Sequence, residues 1–290
     1  MAITRMTIIG LGNIGGSMAL AVRNNPAADV DVTAYVRRAD AGREALRLGA
    51  ADRISDDLAD AVRGADLVVL ATPVSAMQTV MRLINPHLAT GAVVTDVGST
   101  KVDVNAWGRE LIGPQAIFVG GHPMAGSAGS GLAGANGDVF RETVYCVAAE
   151  PGTPEPAIDA VRQLVRWIGA APLLLSAQQH DDCVAQVSHL PMLVASALVT
   201  AAATHPDWDT MSRLAALGFR EMTRSAAGSS EVRRSVCSTN KAAIAASIDR
   251  FIDTLQQYRQ HILRDDEQLL GLFQDARAAR RDWVARRYPR

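Results

Sequence analysis

The stretch GGHPMAGS, Gly120 to Ser127, sets one histidine between a glycine pair and a proline. An imidazole with an ordinary pKa of about 6.5 takes up and releases protons near neutrality, which makes His122 an acid–base candidate. Glycine lets backbone come close to a ligand and proline stiffens it, so the composition suits a loop crowded against a ligand. A tight turn with an incidental polar residue has the same composition.

TIIGLGNIGGSMAL spaces Gly10, Gly12 and Gly15 as G-x-G-x-x-G, directly after an apolar β-rich run and at the start of a helical pattern. In a dinucleotide-binding turn the first glycine permits the tight bend, the second lets backbone meet the pyrophosphate, and the third lets helix and strand pack closely. The phosphates then sit at a helix N-terminus, where free N–H groups favour anions. Asn13 and Ile14 between those glycines, and Thr72 and Pro73 after the run Leu67–Ala71, are placed with them as cofactor contacts. The next β-rich run ends VTAYVRR, with Val36 where an NAD site usually carries a carboxylate for the ribose 2′-hydroxyl, followed by Arg37 and Arg38. A missing carboxylate with two added guanidinium groups fits the 2′-phosphate of NADP, with NAD as the other possibility; two merely exposed arginines is the plainer reading.

The bulk composition narrows the field. The chain has 290 residues, 48% hydrophobic and 20% charged, with a formal net charge of -1, which argues against disorder and against a general polyanion-binding role. Cys146, Cys183 and Cys237 are far apart, and the histidines form no HExxH or His/Cys cluster, so neither a disulfide framework nor a metal site is expected. The N-terminal MTIIGLG is too short and glycine-rich for a signal sequence, and no apolar run reads as long enough to span a bilayer. A cytoplasmic globular protein acting on a small molecule is expected, with no nucleic acid or membrane partner.

The elements that must hold these residues follow from periodicity. Strand-like runs at Met6–Ile9, Val30–Val36, Leu67–Ala71, Ala92–Val97, Ile117–Val119 and Val144–Ala148 alternate with helical stretches such as Ser17–Arg23, Ala39–Leu48 and Val74–Leu83. That alternation predicts a doubly wound, mostly parallel α/β sheet, with PLLLS at Pro172–Ser176 as its last strand. From Ala177 the pattern is helical, and apolar helical surface of that extent suits a partner subunit. The expected organisation is a Rossmann-type dinucleotide-binding domain over 1–176, then an all-α substrate and dimerisation domain over 177–290. A homodimer is the expected assembly.

After the fifth strand the chain carries TDVGSTK, then GGHPMAGS, and later VSHLP and GFREMTR. This order of stretches resembles the prephenate/arogenate dehydrogenase family of tyrosine biosynthesis, over nearly the whole chain. The resemblance implies oxidation of a cyclohexadienol at its ring hydroxyl carbon, hydride transfer to a nicotinamide, and loss of the ring carboxylate as CO2. It also implies that His122 hydrogen-bonds the substrate hydroxyl and accepts its proton. Ser99 matches the serine that bridges this histidine, the hydroxyl and the nicotinamide region. His189 matches a substrate-site or domain-interface histidine, just before Pro191, which is expected to kink its helix. Arg224 matches the arginine that grips a substrate carboxylate, and Asn240 an asparagine near the substrate pocket. Glu221 either orients Arg224 or is solvated; Lys101 is either a nearby charge or an exposed helix-start residue.

Two departures from the family pattern bear on the substrate. Met192 stands where several members carry a second histidine, and Ser127 with Ala128 follow HPMAG where some prephenate-specific members carry a glutamate. Both resemble the arogenate branch, so the expected activity is an NADP-dependent arogenate dehydrogenase. A prephenate, cyclohexadienyl or amino-deoxyprephenate dehydrogenase is the alternative, and a non-catalytic NADPH-sensing protein the outsider. A β-hydroxyacid dehydrogenase or imine reductase shares the domain plan but lacks the HPMAG and SHLP pair. No appended regulatory domain or fused mutase is expected after the helical half.

Overall fold

A computed structural model describes residues 2–126, 129 and 131–288. Its frame is an eight-stranded sheet in the order β3-β2-β1-β4-β5-β6-β7-β8. The strands are β1 (Arg5–Ile9), β2 (Asp31–Tyr35), β3 (Arg53–Ser55), β4 (Leu67–Leu70), β5 (Ala92–Asp96), β6 (Ala116–Pro123), β7 (Val144–Ala148) and β8 (Ala171–Leu174). All neighbours pair parallel except β6 and β7. β4 and β5 are buried along their whole length, as their unbroken apolar runs require in a sheet covered on both faces. The short β3 has no apolar run and escapes sequence reading.

Helices cover both faces. α1 (Asn13–Arg23), α2 (Ala39–Arg47) and α6 (Glu155–Trp167) contribute to one apolar core with β1 and β2. α3 (Leu58–Val62), α4 (Val74–Ile84) and α5 (Val102–Leu111) contribute to the other with β4 and β5. The strand order reverses between β1 and β4, and ligands of such sheets bind outside the C-terminal ends of the strands at that point. Gly10 follows β1 and Thr72 follows β4, so the glycine loop lies at this crevice.

β6 extends further than the expected Ile117–Val119. Its first half pairs parallel with β5 and its second half antiparallel with β7, setting His122 opposite Cys146. His122 is therefore a strand residue, not a loop residue. The glycine pair also has a different reason than closeness to a ligand. A Cβ on Gly120 would lie 2.2 Å from the Asn105 Oδ1, and one on Gly121 would lie 2.5 Å from both the Asp96 carbonyl and the Tyr145 hydroxyl. The pair is glycine because protein already fills the space behind it.

Beyond the sheet come α7 (Ala177–Val184), a π-helical turn over Ala185–His189, α8 (Leu190–Ala203), α9 (Trp208–Leu214), α10 (Leu217–Thr223), a 3-10 turn over Arg224–Ala227 and α11 (Ser230–Thr239). The π turn ends two residues before Pro191, and the α-helix that contains the proline starts at Leu190. The continuous run Ala177–Ala203 is 27 residues with a hydropathy of 1.5, long and apolar enough by composition to cross a bilayer, contrary to the sequence expectation. It nevertheless carries His180 and Asp181, both fully buried in protein contacts.

By compactness the chain divides into residues 1–241 and 242–290. The second unit holds most of α12 (Lys241–Arg264) and all of α13 (Gln268–Arg287), with the Tyr258 and Phe273 rings 5.5 Å apart. Leu263, Leu270, Phe273 and Trp283 on these helices are each more than half exposed.

Candidate active site

The glycine loop has the stereochemistry that its spacing requires. Gly10 has φ +104°, a region that a side chain disfavours. A Cβ on Gly15 would lie 2.0 Å from the Gly10 carbonyl oxygen and 2.8 Å from the Ala71 methyl, so helix and strand touch there. A Cβ on Gly12 would meet nothing within 4 Å. That open space lies at the N-terminus of α1, whose first-turn N–H groups have no helical partner. The Asn13 carboxamide is turned away, donating to the Gly134 carbonyl at 2.8 Å and the Gly129 carbonyl at 3.1 Å, while Ile14 packs on the core. The Thr72 hydroxyl is buried without a hydrogen-bond partner, and Pro73 caps α4. Open space at Gly12, a helix N-terminus and an orphaned hydroxyl fit a dinucleotide phosphate. At the end of β2, Val36 is buried, whereas Arg37 and Arg38 are exposed, Arg38 lying 3.5 Å from Asp40.

His122 stands at the C-terminal end of β6, almost wholly buried. Its Nδ1 is 2.8 Å from His180 Nε2, and His180 Nδ1 is 2.7 Å from Asp181 Oδ1. Burial, reinforced by His180, Lys101 and His189 nearby, holds the His122 pKa well below the usual histidine value. The ring is thus neutral at physiological pH and able to accept a proton.

α7 delivers His180 and Asp181 through a capping box. Ser176 accepts from the Gln179 N–H, and the Gln179 side chain accepts from the Ser176 N–H, both at 3.1 Å. Asp181 in turn caps another helix. Its Oδ1 accepts from the Lys101 N–H at 2.7 Å and its Oδ2 from the Val102 N–H at 2.8 Å, at the start of α5. Lys101 is that helix's N-cap residue but supplies no side-chain cap, because its ammonium points into the core. There it pairs with Asp96, which is also fully buried.

His189, at the end of the π turn, is buried, and burial lowers its pKa to about 4 against the opposing pull of Asp181. Its Nε2 makes no hydrogen bond of good geometry, although the Ser99 backbone lies close enough to favour the protonated ring. Its Nδ1 is 3.3 Å from Asn240 Nδ2, which also donates to the Asp181 carbonyl at 2.8 Å. Ser99, half-buried, follows a turn in which Asp96 accepts from the Gly98 N–H at 2.7 Å. The structure thus gathers His122, Ser99, His189 and Asn240 around Asp181 and His180.

Other sequence candidates stay outside this cluster. Arg224 and Glu221 are exposed, and among the described residues no ion pair joins them. Met192 is half-buried, and its carbonyl accepts from the Ser196 hydroxyl at 3.0 Å. Ser127 and Ala128 lie outside the described residues. His180, Asp181 and Asp96 are absent from the sequence reading, and Lys101 is ambiguous in it. The capping signature SAQQ ahead of HDD was the available signal for the first two.

The family pattern described as prephenate dehydrogenase, nucleotide-binding domain, matches residues 18–173, and prephenate dehydrogenase, dimerization domain, matches residues 176–275. Prephenate dehydrogenase of Bacillus subtilis is 32% identical over 275 residues, 93% of this chain and 73% of that protein. Cyclohexadienyl dehydrogenase of Zymomonas mobilis is 32% identical over 278 residues, 95% of this chain and 94% of that protein. Among solved structures, Synechocystis arogenate dehydrogenase is similar with a TM-score of 0.83 and 27% identity, covering 97% of this chain and 100% of that one. Prephenate dehydrogenase from A. aeolicus, in complex with hydroxyphenyl propionate and NAD+, is similar with a TM-score of 0.90 and 25% identity, covering 97% and 99%.

Proposed function

The chain belongs to the prephenate dehydrogenase family, a family of oxidoreductases, and from that premise we propose that it converts L-arogenate to L-tyrosine by NADP-dependent oxidative decarboxylation. When bound at the glycine loop, the dinucleotide supplies the hydride acceptor. His122 takes the proton of the ring hydroxyl, and burial keeps it neutral for that task. Ser99 can donate and accept at once, which suits a bridge between hydroxyl and imidazole. His189 offers a buried nitrogen without a well-formed hydrogen bond to a substrate oxygen. Arg224 anchors a substrate carboxylate through a bidentate contact. Loss of CO2 from the oxidised ring is driven by aromatisation.

The observation that carries this reading is a buried, neutral His122 on the same C-terminal sheet edge as Gly10 and Thr72. Arogenate is preferred over prephenate because Met192, three residues past His189, offers no hydrogen-bond donor to a ketoacid side chain. Prephenate is the second reading, favoured by the relatives in Bacillus subtilis and Zymomonas mobilis. The reading also places the protein in the cytoplasm, divides it at 176/177, and makes it a homodimer. The exposed apolar residues of α12 and α13 and the family's dimerization-domain match support the dimer. Steady-state kinetics with arogenate and prephenate, each with NAD and NADP, test it. The highest kcat/KM for arogenate with NADP is expected, and no turnover of either substrate overturns it.

A further inference from the structure

Building on that reading, we infer that His180, held by Asp181, fixes the His122 proton on Nδ1 and so leaves Nε2 as the proton-accepting face. The assignment follows hydrogen by hydrogen. Asp181 receives a backbone N–H on each oxygen, from Lys101 and Val102, and a backbone N–H can only donate. Oδ1 also faces His180 Nδ1 at 2.7 Å, so that nitrogen carries a hydrogen. A His180 ring that carries this one hydrogen presents a lone pair at Nε2. The atom 2.8 Å from that lone pair is His122 Nδ1, which must donate. A neutral His122 protonated on Nδ1 has its lone pair on Nε2.

The opposite arrangement would remove His122 as a base. A doubly protonated His180 would force His122 to accept at Nδ1 and to carry its proton on Nε2, where it is useless as a base. That arrangement would pair a His180 cation with Asp181, and a cation 2.8 Å from His122 opposes any further proton on that ring.

With a bound dinucleotide as the oxidant the step would balance: the substrate O–H bond would break, an Nε2–H bond would form on His122, and the hydride on the ring carbon bearing that hydroxyl would pass to the nicotinamide. The Nδ1–H bond to His180 then becomes charge-assisted, and Asp181, which accepts from His180 and from two backbone N–H groups, stabilises the new imidazolium through His180. The logic is that of the serine-protease aspartate, extended by one imidazole. His180 and Asp181 are positioning residues; neither is required to touch the substrate.

The test is an imidazole 15N–1H correlation spectrum of the full chain labelled at histidine, without substrate, with the His122 signals identified by their loss in His122→Asn. A neutral His122 with hydrogen on Nδ1 at pH 7 is expected; hydrogen on Nε2 in the wild-type protein overturns the proposal, even if no His180 variant folds. In His180→Leu the proton should move to Nε2 and kcat should fall about 10²- to 10⁴-fold, the scale of a misdirected general base, with the dinucleotide KM unchanged. His180→Gln, whose amide can donate to Asp181 and accept from His122, should restore most of the rate. His180→Leu with unchanged tautomer and kcat also overturns the proposal. The spectrum needs no turnover, so inactivity towards arogenate and prephenate would sink the proposed function and leave this assignment to be decided by itself.

Discussion

Lys101 and Asp96 hold the Gly121 peptide from both sides. The Lys101 ammonium donates to the Gly121 carbonyl at 2.7 Å, and Asp96 Oδ1 accepts from the Gly121 N–H at 2.9 Å. The two side chains also pair with each other, and both are fully buried. His122 is the next residue, so the pair fixes the strand end from which the imidazole projects. Burial alone would favour neutral lysine, and the adjacent carboxylate opposes that.

Removing one partner leaves the other as an uncompensated buried charge. Lys101→Met should lower unfolding free energy by about 3–5 kcal/mol. Denaturant titration measures the loss, and a change below about 1 kcal/mol would mean that the pair is not closed to water.

His122→Asn should cut turnover by roughly two to four orders of magnitude while leaving dinucleotide affinity intact. In the wild-type enzyme the acid limb of kcat/KM should lie below the usual histidine range, because the His122 pKa is lowered. Activity is then full above that lowered pKa and falls as protonation removes the base. An acid limb at or above about 6.5 would assign the limb to another group.

The glycine loop separates folding from binding. Gly12→Ala places a methyl where no protein atom lies within 4 Å, so the protein should keep its thermal midpoint and lose dinucleotide affinity. Gly15→Ala drives a methyl to 2.0 Å from the Gly10 carbonyl and should destabilise the fold itself. Thermal melts beside dinucleotide titration distinguish the two, and identical behaviour of both variants would count against the loop geometry.

Arg37 and Arg38 changed together to alanine should erode NADP use far more than NAD use. Both are exposed after a strand end that offers no carboxylate. Equal losses in kcat/KM with the two dinucleotides would leave the arginines a surface role only.

Met192→His should raise the kcat/KM ratio of prephenate over arogenate, by about tenfold for one hydrogen bond to a charged group. The added donor suits a ketoacid side chain and does little for an ammonium. A ratio unchanged by the swap, in a folded protein, makes Met192 packing alone.

The sequence by itself determined the alternation of strands and helices and the glycine loop, and it singled out His122, because each is written in a local period or a short contiguous motif. It could not show why Gly120 and Gly121 are glycines, since the atoms that exclude their side chains come from Asp96, Asn105 and Tyr145, distant in the chain. Nor could it show that Lys101 turns inward, because a lysine at a helix start reads as solvated unless a buried carboxylate waits for it. The chain from His122 through His180 to Asp181 was equally hidden. Hydrogen bonds between residues 58 positions apart depend on where β6 and α7 meet. Only tertiary packing decides that, by excluding water and leaving each buried polar atom to find its partner among protein groups.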